Sequence, residues 1–243
     1  MRLRLTEFTP GAHRVVQPRT SLRHTSLRAP EPIGFLHGDR DGLNRLAGLF
    51  SFAAYSRHTI VHVPLRDGPP PADNLGERVD LLLVHHTYGL RASQWPGLRR
   101  SLGAGAPLTV RTDEARTARD AAVWRRHSRH ADFRDTFRHA THARTFLLFG
   151  SRDLFAETAM TLAYAAGWGP RQKGVAQGHS ALMTNLPALV QPPGGGHPLE
   201  VLVCFQEPPT PPDRKTPPDR KTPPALKTPA SRSSRPPRTA ASP

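Results

Sequence analysis

Residues 79–85, VDLLLVH, constrain the fold of this chain more than any other stretch. The run is nearly all apolar, and such runs suit a β-strand covered on both faces. Residues 145–149 (TFLLF) and 200–205 (EVLVCF) have the same character. Strands of this kind need layers of structure above and below them, which points to an α/β domain.

Helical patterns separate the apolar runs. Residues 33–37, set between Pro32 and Gly38, read as a first strand, 58–65 (HTIVHVPL) as a second and 107–111 (PLTVR) as a further one. Asp41 can cap a helix over 42–54, in which Leu43, Leu46, Leu49 and Phe50 share a face. Ser93 caps a short helix to about Leu102. Residues 114–128 read as a helix that breaks and resumes toward His142. Ser151 caps a helix over 152–166 with Leu154, Phe155, Ala159, Leu162 and Ala163 in one stripe, and Gly167 and Pro170 end it. A loop-rich stretch with a short helix near 181–190 precedes the last strand. This order predicts an α/β fold: an open, mostly parallel sheet of about five or six strands with helices on both faces, Rossmann-like or flavodoxin-like, plus disordered termini.

The domain is expected at 31–206, between two basic ends. Residues 1–30 hold six Arg and one acid and are interrupted by Pro10, Pro18 and Pro30, so a poorly ordered arm is expected there. From Thr210 the chain reads TPPDRK, TPPDRK, TPPALK, and the stretch 207–243 is expected to be a disordered, Pro/Lys/Arg-rich repeat tail, because it has almost nothing apolar to offset its ordering entropy.

The net charge of +15 invites a nucleic-acid reading, but its distribution weakens it. The two ends carry +5 each, which leaves +5 for the 176 residues between them. Thirty Arg against four Lys, two Ile and three Asn also reflects GC-rich codon usage. Nucleic acid is therefore not the favoured partner. The one cysteine, Cys204, excludes an internal disulfide and a multi-cysteine zinc site. No apolar run approaches the length of a membrane span and no secretion signal is visible, so a cytoplasmic, membrane-free protein is expected. Gly34, Gly38 and Gly42 do not make the dinucleotide fingerprint, and no G-K-[ST] follows them. Gly178-His179-Ser180-Ala181-Leu182 lacks the final glycine of a hydrolase elbow.

In open α/β sheets, ligands bind beyond the carboxyl ends of the strands. The first strand delivers His37, Asp39 and Arg40 there, and the run 79–85 delivers His85, His86 and Tyr88. The strand 107–111 delivers Arg111 and Asp113, and the strand 145–149 delivers Ser151 and Arg152. His85 or His86 is the candidate base, Asp39 and Asp113 are the carboxylates, and His37, Arg40, Tyr88, Arg111, Ser151 and Arg152 are ligand-binding candidates. Free N–H groups at a helix start beside an Arg suit an anion. The expected function is binding, or acting on, an anionic small molecule or nucleotide at this rim. A polyanion-binding or interaction protein using the His/Arg-rich segment 124–144 and both basic ends, and a structural domain without catalytic activity, are the alternatives. No cofactor, metal, substrate or oligomeric state is legible, and whether the chain is an enzyme stays open at this level.

Overall fold

A computed structural model of the chain describes residues 1–68, 76–187, 189 and 199–208. The repeat tail expected at 207–243 lies outside the described residues from 209 onward, as do residues 69–75 of the stretch 67–76, whose Pro and Gly content reads as a loop.

The described residues form an α/β fold with two mixed sheets and four α-helices. The larger sheet contains β1 (Arg2–Phe8), β2 (Val15–Pro18), β5 (Ile60–Val63), β6 (Asp80–His85), β7 (Ala106–Arg111), β8 (Arg138–His142) and β9 (Thr145–Gly150). Its order is β7-β1-β2-β5-β6-β9-β8. The smaller sheet contains β3 (Ser26–Leu27), β4 (Ile33–Gly38), β10 (Ala181–Asn185) and β11 (Glu200–Phe205), in the order β10-β11-β4-β3.

The two strands β6 and β9 lie parallel in the interior of the larger sheet, between β5 and β8, and are buried along nearly their whole length. Side-chain alternation divides their residues between two cores. Leu81, Leu83, Phe146 and Leu148 join the main core, beneath helices α1 (Arg40–Tyr55) and α4 (Arg152–Trp168). Leu82, Val84, Leu147 and Phe149 face the other way and meet Leu90 and Trp95. Trp95 opens the short helix α2 (Trp95–Arg100) and donates its indole N–H to Thr145 Oγ1 at 3.2 Å. Helix α1 packs along α4, and α4 packs on α3 (Glu114–His127). A buried hydroxyl pair, Ser51 and Thr117 at 2.7 Å, ties α1 to α3.

The expected mostly parallel sheet is corrected to a mixed one. In the larger sheet only β2/β5 and β6/β9 are parallel pairs. Strands β5 and β6 are antiparallel, with Val61 opposite Leu83 and Val63 opposite Leu81. The first strand of the sequence reading, β4, stands in the other sheet beside its parallel partner β11.

Residues 1–30, expected as a poorly ordered arm, form β1, β2 and β3. In β1, Arg2 and Arg4 are exposed while Leu3 and Leu5 are buried, the alternation of a strand with one face on the core. The three prolines do not prevent this: Pro18 closes β2, while Pro10 and Pro30 lie outside the strands. The helix expected to resume toward His142 is instead β8, and the short helix expected near 181–190 begins as β10. Among the described residues, no helix is long and apolar enough to cross a membrane.

Candidate functional site

The parallel pair β6/β9 places His85 directly across from Gly150 at their shared carboxyl edge. Beyond His85 the chain makes a 3-10 turn, His86–Tyr88, and beyond Gly150 it enters α4. A cleft of about 710 Å³ opens above this edge. His85, His86, Ser151 and Arg152 line it, so the structure brings these four candidates together.

Ser151 caps α4, its Oγ accepting from the Leu154 N–H at 3.1 Å and donating to Asp135 Oδ2 at 2.6 Å. Asp135 also accepts from the Trp124 indole at 3.1 Å. The Ser151 hydroxyl is thus held as a structural link. Gly150 is glycine because a Cβ there would lie 2.5 Å from the Phe137 ring, which is buried under the turn. Arg152 leans on Asp153 at 2.6 Å, with Asp120 3.8 Å away, and the hydrogen bond to Asp153 holds its guanidinium even more firmly protonated than usual.

Three arginines and a histidine complete the wall, and the sequence reading did not name them: Arg14, Arg57, His58 and Arg116. Strand direction explains the first three. Because β5 runs antiparallel to β6, its leading residues Arg57, His58 and Thr59, not its carboxyl end, arrive beside His85. Strand β2 runs parallel to β5, so its own lead-in residue Arg14 reaches the same edge and donates to Thr59 Oγ1 at 3.1 Å. Arg14 also pairs with Glu7 at 2.5 Å. Arg57 donates through Nε to His58 Nε2 at 3.0 Å. Arg116, in the first turn of α3, lies over the Tyr55 ring with its guanidinium carbon 4.2 Å from the ring centre. The Tyr55 hydroxyl donates to Asp120 at 2.9 Å, and burial followed by this contact raises its pKa. Among the described residues, no carboxylate forms an ion pair with Arg57 or Arg116.

The His85 ring lies tilted against that of His86, with centroids 4.5 Å apart and an angle of 34° between the planes. Its Nδ1 meets Thr87 Oγ1 at 2.8 Å and, more weakly, accepts from the Thr87 N–H at 3.4 Å. That leaves Nε2 as the ring nitrogen available to a ligand. Burial, then the positive charges of His86, Arg57 and His58, lower the His85 pKa below its ordinary value.

The remaining sequence candidates stand elsewhere. Asp39 caps α1, accepting from the Gly42 N–H at 2.7 Å, a position the sequence reading gave to Asp41. Arg40 is the first residue of α1, and His37 stacks on Phe35 within β4 of the smaller sheet. Asp113 caps α3 by accepting from the Arg116 N–H at 2.9 Å, and Arg111 ends the edge strand β7. Tyr88 meets His13 Nδ1 through its hydroxyl at 2.9 Å. None of these six lines the cleft. In the segment 124–144, Trp124 and Phe137 are buried, so its aromatics belong to the core and not to an exposed stacking surface. Among the described residues, no group of three or more His, Cys, Asp or Glu side chains could hold a metal ion. No family model, no curated protein and no solved structure matches the chain.

Proposed function

We propose that the chain binds an anionic small molecule in the cleft above β6 and β9, with His85 as the group that exchanges a proton with it. The observation that carries this reading is the charge of the lining. Arg14, Arg57, Arg116 and Arg152 face the cleft with one acid, Asp153, and Arg57 and Arg116 have no ionic partner among the described residues. Two such guanidinium groups in one concave site suit the oxygens of a phosphate or carboxylate, which they meet through charge-assisted hydrogen bonds. His85 presents Nε2 beside them, and its depressed pKa makes it respond to any negative charge placed nearby.

The test is calorimetric titration of the full chain with inorganic phosphate and with a sugar phosphate. Arg57→Ala should weaken binding about tenfold or more, equivalent to about 1.4 kcal/mol. Arg2→Ala, on the exposed face of β1, should leave it unchanged. Absence of binding at millimolar ligand, or equal loss in both variants, overturns the proposal.

A further inference from the structure

We infer that the ligand carries a planar ring beside its anionic group, and that the cleft takes a nucleotide with its base stacked on the Arg116 guanidinium. This inference rests on the anion-binding reading above and narrows it to one class.

The argument starts from how Arg116 is held. Its backbone N–H is fixed by the Asp113 cap at 2.9 Å, and its guanidinium lies over the Tyr55 ring at 4.2 Å. Tyr55 is itself pinned, because its hydroxyl donates to Asp120 at 2.9 Å. Helices α1 and α3, joined through Ser51 and Thr117, set the distance between the two side chains. The result is a guanidinium held over an aromatic ring, on a residue that is exposed in the cleft wall.

A guanidinium held against a ring keeps its N–H edge free for an oxyanion and can also offer its outer face to a second planar group. Nucleobases stack on arginine planes as they do on aromatic side chains, and Arg116 is placed for this by its ring support and its exposure in the cleft wall. Arg57 and His58 stand in the same cleft for the phosphate, along with the start of α4. A cleft of about 710 Å³ lies within the range of small-molecule sites that bury most of a ligand of nucleotide size. Ribose phosphates and inorganic anions would use the cations but leave the Arg116 face uncovered.

The experiment compares the full chain with Arg116→Lys, which keeps the charge and removes the plane. Calorimetry is run with the four common nucleoside 5′-monophosphates, ribose 5-phosphate and a ten-residue single-stranded oligonucleotide, and circular dichroism confirms that the variant is folded. The expected result is that at least one nucleoside monophosphate binds about tenfold more tightly than ribose 5-phosphate, base stacking contributing at this scale. Arg116→Lys should remove that advantage and leave ribose 5-phosphate affinity within about twofold. An oligonucleotide that binds more tightly than any monophosphate, with the same loss in Arg116→Lys, supports the inference with the nucleotide supplied by a strand. Equal binding of monophosphates and ribose 5-phosphate, or an equal loss of both in Arg116→Lys, overturns the nucleotide inference and leaves the anion site standing. If neither they nor the oligonucleotide binds, the anion reading itself has failed.

Discussion

The imidazole Nε2 of His62 lies 3.4 Å from the Asp80 carboxylate, and both side chains are buried at the edge of the larger sheet opposite the cleft. Asp80 also accepts from the backbone N–H groups of Leu65 and Arg66 at 3.0 and 3.2 Å, and the guanidinium groups of Arg66 and Arg99 lie 3.5 and 3.6 Å away. One carboxylate therefore ties the turn after β5 to the start of β6.

Removing this carboxylate should unfold the edge. Asp80→Ala leaves His62, Arg66 and two N–H groups without their shared acceptor, and breaking a buried pair of this kind costs about 3–5 kcal/mol. Urea unfolding of the two proteins measures the difference; a loss below about 1 kcal/mol would show the network to be dispensable.

The same site gives an acid limb of known sign. Burial alone would raise the Asp80 pKa, but the hydrogen bonds and charges of His62 and Arg66 outweigh it and hold it below its ordinary 3.8. The unfolded chain then takes up this proton first as pH falls, so the contribution is present above 3.8 and is lost as pH drops through the lower folded value. Urea midpoints between about pH 6 and pH 3 should fall more steeply for the native chain than for Asp80→Ala.

Gly42, in the first turn of α1, should resist the substitution that strengthens most helices. Gly to Ala in an exposed helix interior is worth about 1 kcal/mol. Here the new Cβ would lie 1.9 Å from Thr25 Oγ1, a buried hydroxyl with no hydrogen-bond partner among the described residues. Gly42→Ala should therefore cost about 1–3 kcal/mol. Adding Thr25→Ala should recover about 1 kcal/mol or more, because the hydroxyl it removes makes no bond. Strictly additive effects in thermal melts would exclude the contact.

What the residues announce, and what they conceal, follows from strand direction and turn chemistry. The strands β6 and β9 are legible because burial on both faces demands continuous apolar runs. They also run parallel, so the rule of carboxyl ends led to His85, His86, Ser151 and Arg152 in one cleft. The same rule missed Arg57 and His58, because β5 is reversed and delivers its opposite end to that edge. Strand β8 was hidden by its turn. It joins β9 through Ala143 and Arg144, both with positive φ, at 48° and 59°. Asn-Gly or Asp-Gly marks such a two-residue hairpin in most sequences, whereas Ala-Arg signals nothing. In β1 the alternation of Arg2, Leu3, Arg4 and Leu5 was visible, but the local charge pointed toward an arm.

Cys204 should behave as an inert core thiol. It is buried within β11, and burial pushes its pKa up to about 11. The thiolate is the reactive form, so at about pH 8 a disulfide reagent should modify the folded chain at least about a hundredfold more slowly than the urea-unfolded chain. Equal rates would place the thiol at the surface.

Ligand binding at the cleft should take up a proton. In the empty cleft burial disfavours the protonated form of His85, and the positive charges of His86, Arg57 and His58 act in the same direction. An anion held by the cations offsets their charge and restores protonation of His85. The complex then binds more protons than the free chain, so affinity should rise as pH falls toward and below the ordinary histidine value of 6.5. Sulfate is the suitable probe, since its own charge stays constant across this range. Calorimetry in buffers of different ionisation enthalpy should show an uptake of up to about one proton at pH near 6. His85→Gln should lower that uptake while sulfate still binds through the arginines. An identical uptake in His85→Gln would assign the proton to His58 or His86 and remove His85 from its role in the cleft.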